Sequence, residues 1–212
     1  MERCARVIAI ELDAELAGYL REKFAGDSRL EVIQGDVLTT DLGQWGPAVV
    51  TGNLPYYITS PIVEKITALG PLARRAVLLV QKEVAERLAA PPGSRAYGYL
   101  SVAVQLFAAV RLLFEVRPSA FHPPPKVDSA VVRLDPHGRA AELGIGDPRA
   151  FLEFVGICFR QKRKTLRNNL APVYGREVVD AWPEASLRAE QIPLETFAAM
   201  YRRLVSCPRR IS

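Results

Sequence analysis

Five consecutive residues, Asn53-Leu54-Pro55-Tyr56-Tyr57, follow the apolar run Ala48-Val49-Val50-Thr51-Gly52. A run of that length, rich in β-branched residues and closed by Gly-Asn, reads as a buried strand emptying into a loop. In open α/β sheets the loops at the carboxyl ends of strands are where ligands bind. The atoms of this loop suggest what it could do there. An adenine N6 amine is a poor nucleophile because its lone pair is delocalised into the ring. Acceptors for both amine hydrogens, here the Asn53 side-chain oxygen and the Leu54 carbonyl, favour a more pyramidal nitrogen. They also offset the positive charge that develops as a methyl group arrives. Pro55 would fix the direction of the carbonyl, and Tyr56 would stack on an extruded base. The same tetrapeptide also suits an ordinary strand-to-turn transition with proline in a favoured position. The rest of the chain has to decide.

The elements that must position this loop are legible in the apolar periodicity. Val7–Glu11 reads as a short buried strand ending in a carboxylate, followed by an amphipathic helix with Leu16, Leu20 and Phe24 at helical spacing. Leu30–Gln34 is a second strand running into Gly35-Asp36, and the strand before Asn53 is the third. Pro61 sits near the start of a helix through Ile62 and Ile66, and Ala76–Gln81 is a fourth strand. Helix Lys82–Ala89, a helix from Tyr99 to Val110, and strands Leu112–Val116 and Ser129–Leu134 follow. Strands alternating with helices predict an α/β fold with a doubly wound sheet, and the last two strands, with no helix between them, predict an antiparallel edge. A linker-like composition at Asp135-Pro136-His137-Gly138 predicts a domain boundary, giving domains at 1–135 and 139–212.

Composition narrows the class. The chain has 212 residues, 49% hydrophobic and 24% charged, as expected of a soluble globular protein. No apolar run approaches ~18–20 residues, and no signal peptide is read at the N-terminus, so neither a membrane span nor export is expected. Cys4, Cys158 and Cys207 give neither a disulfide framework nor a CxxC spacing, which suits a reducing cytoplasm. With His122 and His137 the two histidines of the chain, no metal site is expected. The net charge of +5 is unevenly placed: residues 1–135 hold 15 basic and 15 acidic side chains, and residues 136–212 hold 13 and 8. A neutral part joined to a basic part suits a polyanionic partner.

Two carboxylates stand at strand ends. In nucleoside-binding α/β folds an acidic residue at the end of the second strand accepts hydrogen bonds from ribose hydroxyls, a role Glu11 fits if one strand is missing ahead of it. Asp36, after the next strand, suits the adenine amino group of a cofactor. These residues occur in order with Val80–Arg87, Tyr97-Gly98-Tyr99-Leu100-Ser101, Phe121-His122-Pro123-Pro124-Pro125-Lys126-Val127-Asp128-Ser129, Phe159–Leu170 and Arg188-Ala189-Glu190-Gln191. The ordered set spans nearly the whole chain and resembles the small-subunit ribosomal RNA adenine N6,N6-dimethyltransferases. The resemblance implies a Rossmann-like S-adenosylmethionine-dependent methyltransferase domain with a small all-helical C-terminal domain. It also implies dimethylation of two neighbouring adenines in a hairpin near the 3′ end of small-subunit rRNA. By motif, Glu11 would meet the cofactor ribose and Asp36 its adenine, and Asn53 would serve both the cofactor and the target amine. Leu54, Pro55 and Tyr56 would hold the target base, with Phe121 on its other face. His122 is read as facing solvent. The partner would be small-subunit rRNA or the immature small subunit, met by a monomer in the cytoplasm.

The chain departs from that pattern in one place. The family's glycine-rich loop, Glu-x-Gly-x-Gly-x-Gly, and the strand before it have no counterpart in these 212 residues. That strand would lie between the strands at 7–11 and 47–52, leaving two bare edges that either stay open or pair with each other. The expectation is weak or no cofactor binding and little turnover, checked by calorimetric titration of S-adenosylmethionine.

Arg160–Arg167 holds five basic residues in eight, and on a helix Arg160, Arg163, Lys164 and Arg167 would share one side. With Lys162 they form a candidate phosphate-binding surface whose affinity would fall with salt; a solvated helix face is the plainer alternative. Two other functions stay open: a non-catalytic ribosome-assembly RNA-binding protein, and a large-subunit rRNA adenine methyltransferase of the resistance type.

Overall fold

The computed structural model describes residues 5–206, in two compact units that divide between Gly46 and Pro47. The first unit is a βαβ motif: β1 (Val7–Glu11), α1 (Ala14–Lys23) and β2 (Leu30–Gln34). The two strands run parallel, Val7 opposite Leu30 and Glu11 opposite Gln34, which requires a crossover such as α1. Asp13 starts that helix by accepting hydrogen bonds from the Glu15 and Leu16 amides. The expected burial is not found here. β1 is half-exposed, Leu16 is 53% exposed, Leu20 and Phe24 are half-buried, and Ala17 alone in α1 is buried. One helix and two strands supply too few layers to enclose their own apolar faces.

The second unit contains β3 (Ala48–Asn53), α2 (Thr59–Ala68), β4 (Ala73–Gln81), α3 (Lys82–Ala89), α4 (Tyr99–Gln105), β5 (Ala108–Val116) and β6 (Ser129–Pro136). Its sheet has the order β3-β4-β6-β5, with β3 parallel to β4 and β6 antiparallel to both of its neighbours, so the antiparallel edge is present. The strands expected in one sheet therefore form two. β3 is an edge strand rather than a buried one: Val49 is 58% exposed because pairing with β4 covers one side only. The central strands carry the core residues Leu78, Val80, Val132 and Leu134. The helix expected to reach Val110 stops at Gln105. Ala108 and Val110 instead pair with Pro136 and Leu134, so cross-strand pairing overrides a helix-compatible sequence. A register shift between Leu112 and Phe114 leaves Leu113 without an opposite residue.

Among the described residues five α-helices complete the unit: α5 (Arg139–Glu142), α6 (Pro148–Cys158), α7 (Leu166–Tyr174), α8 (Arg176–Asp180) and α9 (Leu194–Ser206). Asp147 caps α6 through the Ala150 amide, with Pro148 at its first turn. α9 is the closing amphipathic helix, burying Leu194, Phe197 and Met200. Phe151, Phe154, Leu166, Leu170 and Phe197 share one core with Tyr97, Val102 and Leu106. The apolar core thus runs across the Asp135–Gly138 stretch, because α4 packs with the helices that follow it. Cys158 lies in this core, and burial pushes its thiol pKa up; Cys4 and Cys207 fall outside the described residues. Among the described residues no helix is long and apolar enough to cross a membrane, and no group of three His, Cys, Asp or Glu could hold a metal ion.

Candidate functional site

Strand directions bring the candidate residues of the second unit to one end of its sheet. Asn53 lies opposite Leu79 and Leu79 opposite Val131, while Ser129 lies opposite both Gln81 and Val116. The loop after β3 and the loop joining β5 to β6 therefore leave the sheet at the same end. This is the carboxyl end of the parallel pair, where ligands of α/β sheets bind.

The Asn53 side chain is exposed and makes no hydrogen bond among the described residues. The Leu54 amide closes the ladder on the Leu79 carbonyl at 3.0 Å, and the Leu54 side chain turns inward to 8% exposure. Gly52 permits that turn: a Cβ there would lie 3.0 Å from Leu54 Cδ2. The Pro55 carbonyl accepts from the Ile58 amide at 3.2 Å and the Thr59 hydroxyl at 3.0 Å, so the turn is locked by its own bonds. The Leu54 carbonyl has no partner among the described residues. An amide oxygen and a carbonyl left open side by side form a pair of acceptors. The half-buried Tyr56 donates to or accepts from Ser129 Oγ at 2.8 Å, and Tyr57 is 81% exposed.

Phe121 is half-buried in the second loop, its amide bonded to the Pro118 carbonyl at 3.1 Å, and His122 faces solvent as expected. The loop is tied down at its end by the Lys82 amide on the Asp128 carbonyl at 2.9 Å. Lys82 Nζ in turn pairs with Glu115 at 2.8 Å, and that hydrogen bond raises the ammonium pKa, keeping the charge in place. This end of the sheet therefore offers two open acceptors and aromatic rings, a set that suits a flat heterocycle with an exocyclic amine.

In the first unit Glu11 and Asp36 stand at the ends of neighbouring parallel strands. Glu11 Oε1 accepts from the Asp13 amide at 2.9 Å, and Asp36 Oδ1 from the Leu38 amide at 2.8 Å. One oxygen of each carboxylate is held by a backbone amide. Two oriented carboxylates at strand ends fit the hydroxyls and amino group of a nucleoside, so this pair of acceptors suits an adenosyl cofactor.

The basic run is not helical. α6 ends at Cys158 and α7 begins at Leu166, so residues 159–165 form a turn, and Arg160, Arg163 and Lys164 do not share a helix face with Arg167. Buried Asn169 causes the break: its Nδ2 donates to the Cys158 carbonyl at 2.8 Å and the Gln161 carbonyl at 3.3 Å, closing the turn. Arg160, Arg163 and Lys164 are exposed on it. Lys162 is an anchor, donating to the Arg95 carbonyl at 2.8 Å, and Arg167 pairs with Asp180 at 2.6 Å. Asn169→Ala is expected to cost about 1–3 kcal/mol, since two carbonyls lose a buried donor; urea unfolding of the two proteins measures it.

Sequence reasoning gave no role to Ser129, Asn169 or Asp180. A hydroxyl opening an apolar strand was the available signal for Ser129; nothing local marked the other two.

A family model described as ribosomal RNA adenine dimethylase matches residues 1–204. A ribosomal RNA small subunit methyltransferase A from Acidobacterium capsulatum is 48% identical over 212 residues, covering 95% of this chain and 75% of that one. Its counterpart from Pseudomonas aeruginosa is 41% identical over 209 residues, covering 96% and 78%. Among solved structures, a dimethyladenosine transferase from Plasmodium falciparum is similar with a TM-score of 0.77 at 28% identity, covering 94% of this chain and 83% of that one. The 23S rRNA methyltransferase ErmE is similar with a TM-score of 0.67 at 27% identity, covering 97% and 84%.

Proposed function

This chain belongs to the ribosomal RNA adenine dimethylase family, and from that premise we propose that it dimethylates N6 of two adjacent adenines in a hairpin near the 3′ end of small-subunit rRNA. The open acceptor pair of Asn53 and Leu54, beside an anchored tyrosine, is the observation that carries the reading. Relatives at 41–48% identity, all small-subunit enzymes by name, favour that substrate over large-subunit RNA.

The target adenine leaves its stack and lies against Tyr56, with Phe121 on its other face. The Asn53 oxygen and the Leu54 carbonyl accept the two N6 hydrogens, which localises the nitrogen lone pair. S-adenosylmethionine would supply the electrophilic methyl group, its carbon–sulfur bond breaking to leave S-adenosylhomocysteine as a neutral thioether. As the N–C bond forms, the nitrogen becomes cationic and the same two acceptors offset its charge. The cationic amine is a strong acid and gives its proton to water, so the loop needs no side-chain base. One N–H remains for the second transfer. Glu11 and Asp36 would hold the cofactor's ribose and adenine. Arg160, Arg163 and Lys164 meet phosphates, in keeping with shape-based reading of duplex RNA. The protein works in the cytoplasm on immature small subunits.

The test is incubation with labelled S-adenosylmethionine and either immature small subunits or large-subunit RNA, followed by mapping of the modified bases. Label on the two hairpin adenines, at low turnover, is expected. Label confined to large-subunit RNA would sink the substrate. Tight binding to small subunits without any transfer would make the protein a non-catalytic assembly factor.

A further inference from the structure

Ser129 opens β6 with no solvent exposure, and its hydroxyl lies 2.8 Å from the Tyr56 phenol. The residues after it that share the core, Ala130, Val132 and Leu134, are apolar. The strand therefore does not require a polar side chain at this position, and a buried hydroxyl without a partner is unfavourable. Its partner is a ring 73 residues earlier in the chain. The two ends of this bond differ in how they are held. Ser129 sits between Gln81 of β4 and Val116 of β5, on a strand that has neighbours on both sides. The preceding carbonyl, of Asp128, is fixed by the Lys82 amide. Tyr56 stands on a single turn of 3-10 helix in the loop. The bond thus runs from a fixed point in the sheet to a side chain that would otherwise turn about its own torsions.

We propose that Ser129 is a positioning residue that fixes where the Tyr56 ring lies for the extruded base. The proposal rests on the reading that Tyr56 stacks on the target adenine. A ring already held at the stacking position loses less freedom when the base arrives. Ser129 also begins where the Phe121-bearing loop ends, so the same bond joins the two loops that face the base.

The experiment uses an RNA hairpin carrying 2-aminopurine at the target position, whose fluorescence is quenched on stacking, and a matched hairpin abasic there. Wild type, Ser129→Ala, Tyr56→Phe, the double variant and Tyr56→Ala are titrated. Ser129→Ala and Tyr56→Phe are each expected to weaken the base-dependent part of binding about three- to tenfold. The double variant should be no worse than either alone, and the abasic hairpin should bind all five proteins equally. Multiplicative losses in the double variant, or no change in Ser129→Ala while Tyr56→Ala loses quenching, would overturn the positioning role alone. Tyr56→Ala behaving as wild type would remove the stacking reading and the proposal with it. A merely structural serine would lower the melting temperature and affect the abasic hairpin as well. With ring-labelled tyrosine, Ser129→Ala should shift the Tyr56 resonances in the absence of RNA, and an unshifted spectrum would overturn the hydrogen bond as the device.

Discussion

Replacing Asn53 by alanine is expected to lower methyl transfer about 10²–10³-fold, the usual consequence of removing one oriented group that stabilises developing charge. The side chain supports nothing else: it is exposed and unbonded within the described residues, and β3 already ends there on the Leu54–Leu79 hydrogen bond. Its melting temperature should therefore match that of wild type, and RNA affinity should change little. Single-turnover transfer at saturating RNA and cofactor is the measurement, with Asn53→Asp as a companion. A carboxylate keeps an acceptor at this position, so partial activity is expected from it, above that of alanine. Undiminished transfer by Asn53→Ala would remove the acceptor pair from the mechanism.

Simultaneous replacement of Arg160, Arg163 and Lys164 by alanine is expected to have the largest effect on RNA binding. Each phosphate contact adds about 0.7–0.9 to the slope of log affinity against log salt. Losing three should flatten that slope by roughly two to three, and affinity at low salt should fall by more than an order of magnitude. Lys162→Ala makes a sharp contrast. Its ammonium is spent on the Arg95 carbonyl, so the variant should loosen the turn and weaken binding with a smaller change in salt slope. An unchanged slope in the triple variant would show that these side chains meet no phosphate.

The element pattern was readable because apolar periodicity is local. β1, β2, α3 and the start of β6 fall where the sequence puts them. The error at Val110 had a definite source. Ala108-Ala109-Val110 suits a helix or a strand, and pairing with Leu134–Pro136 chose the strand. Burial was the other weak point, since an apolar run does not reveal whether a strand will have neighbours. Val49 reads like a core residue and is exposed because β3 is an edge. The basic run failed for a related reason. Its spacing fits a helix, but Asn169, five residues beyond Lys164, takes the carbonyls of Cys158 and Gln161 and ends the helix first.

By itself the sequence determined the chemistry on offer: an amide, a proline-fixed carbonyl and aromatic rings after one strand, carboxylates after two others, and a surplus of cations in the last third. Those follow from residue identity and short-range spacing, which need no fold to be read. Only the tertiary structure decided which groups remain available. Two hydrogen bonds and an ion pair to distant partners commit Lys162 to Arg95, Tyr56 to Ser129 and Arg167 to Asp180, and leave Asn53 and the Leu54 carbonyl open. Such commitments depend on contacts between residues far apart in the chain, and no local pattern encodes them.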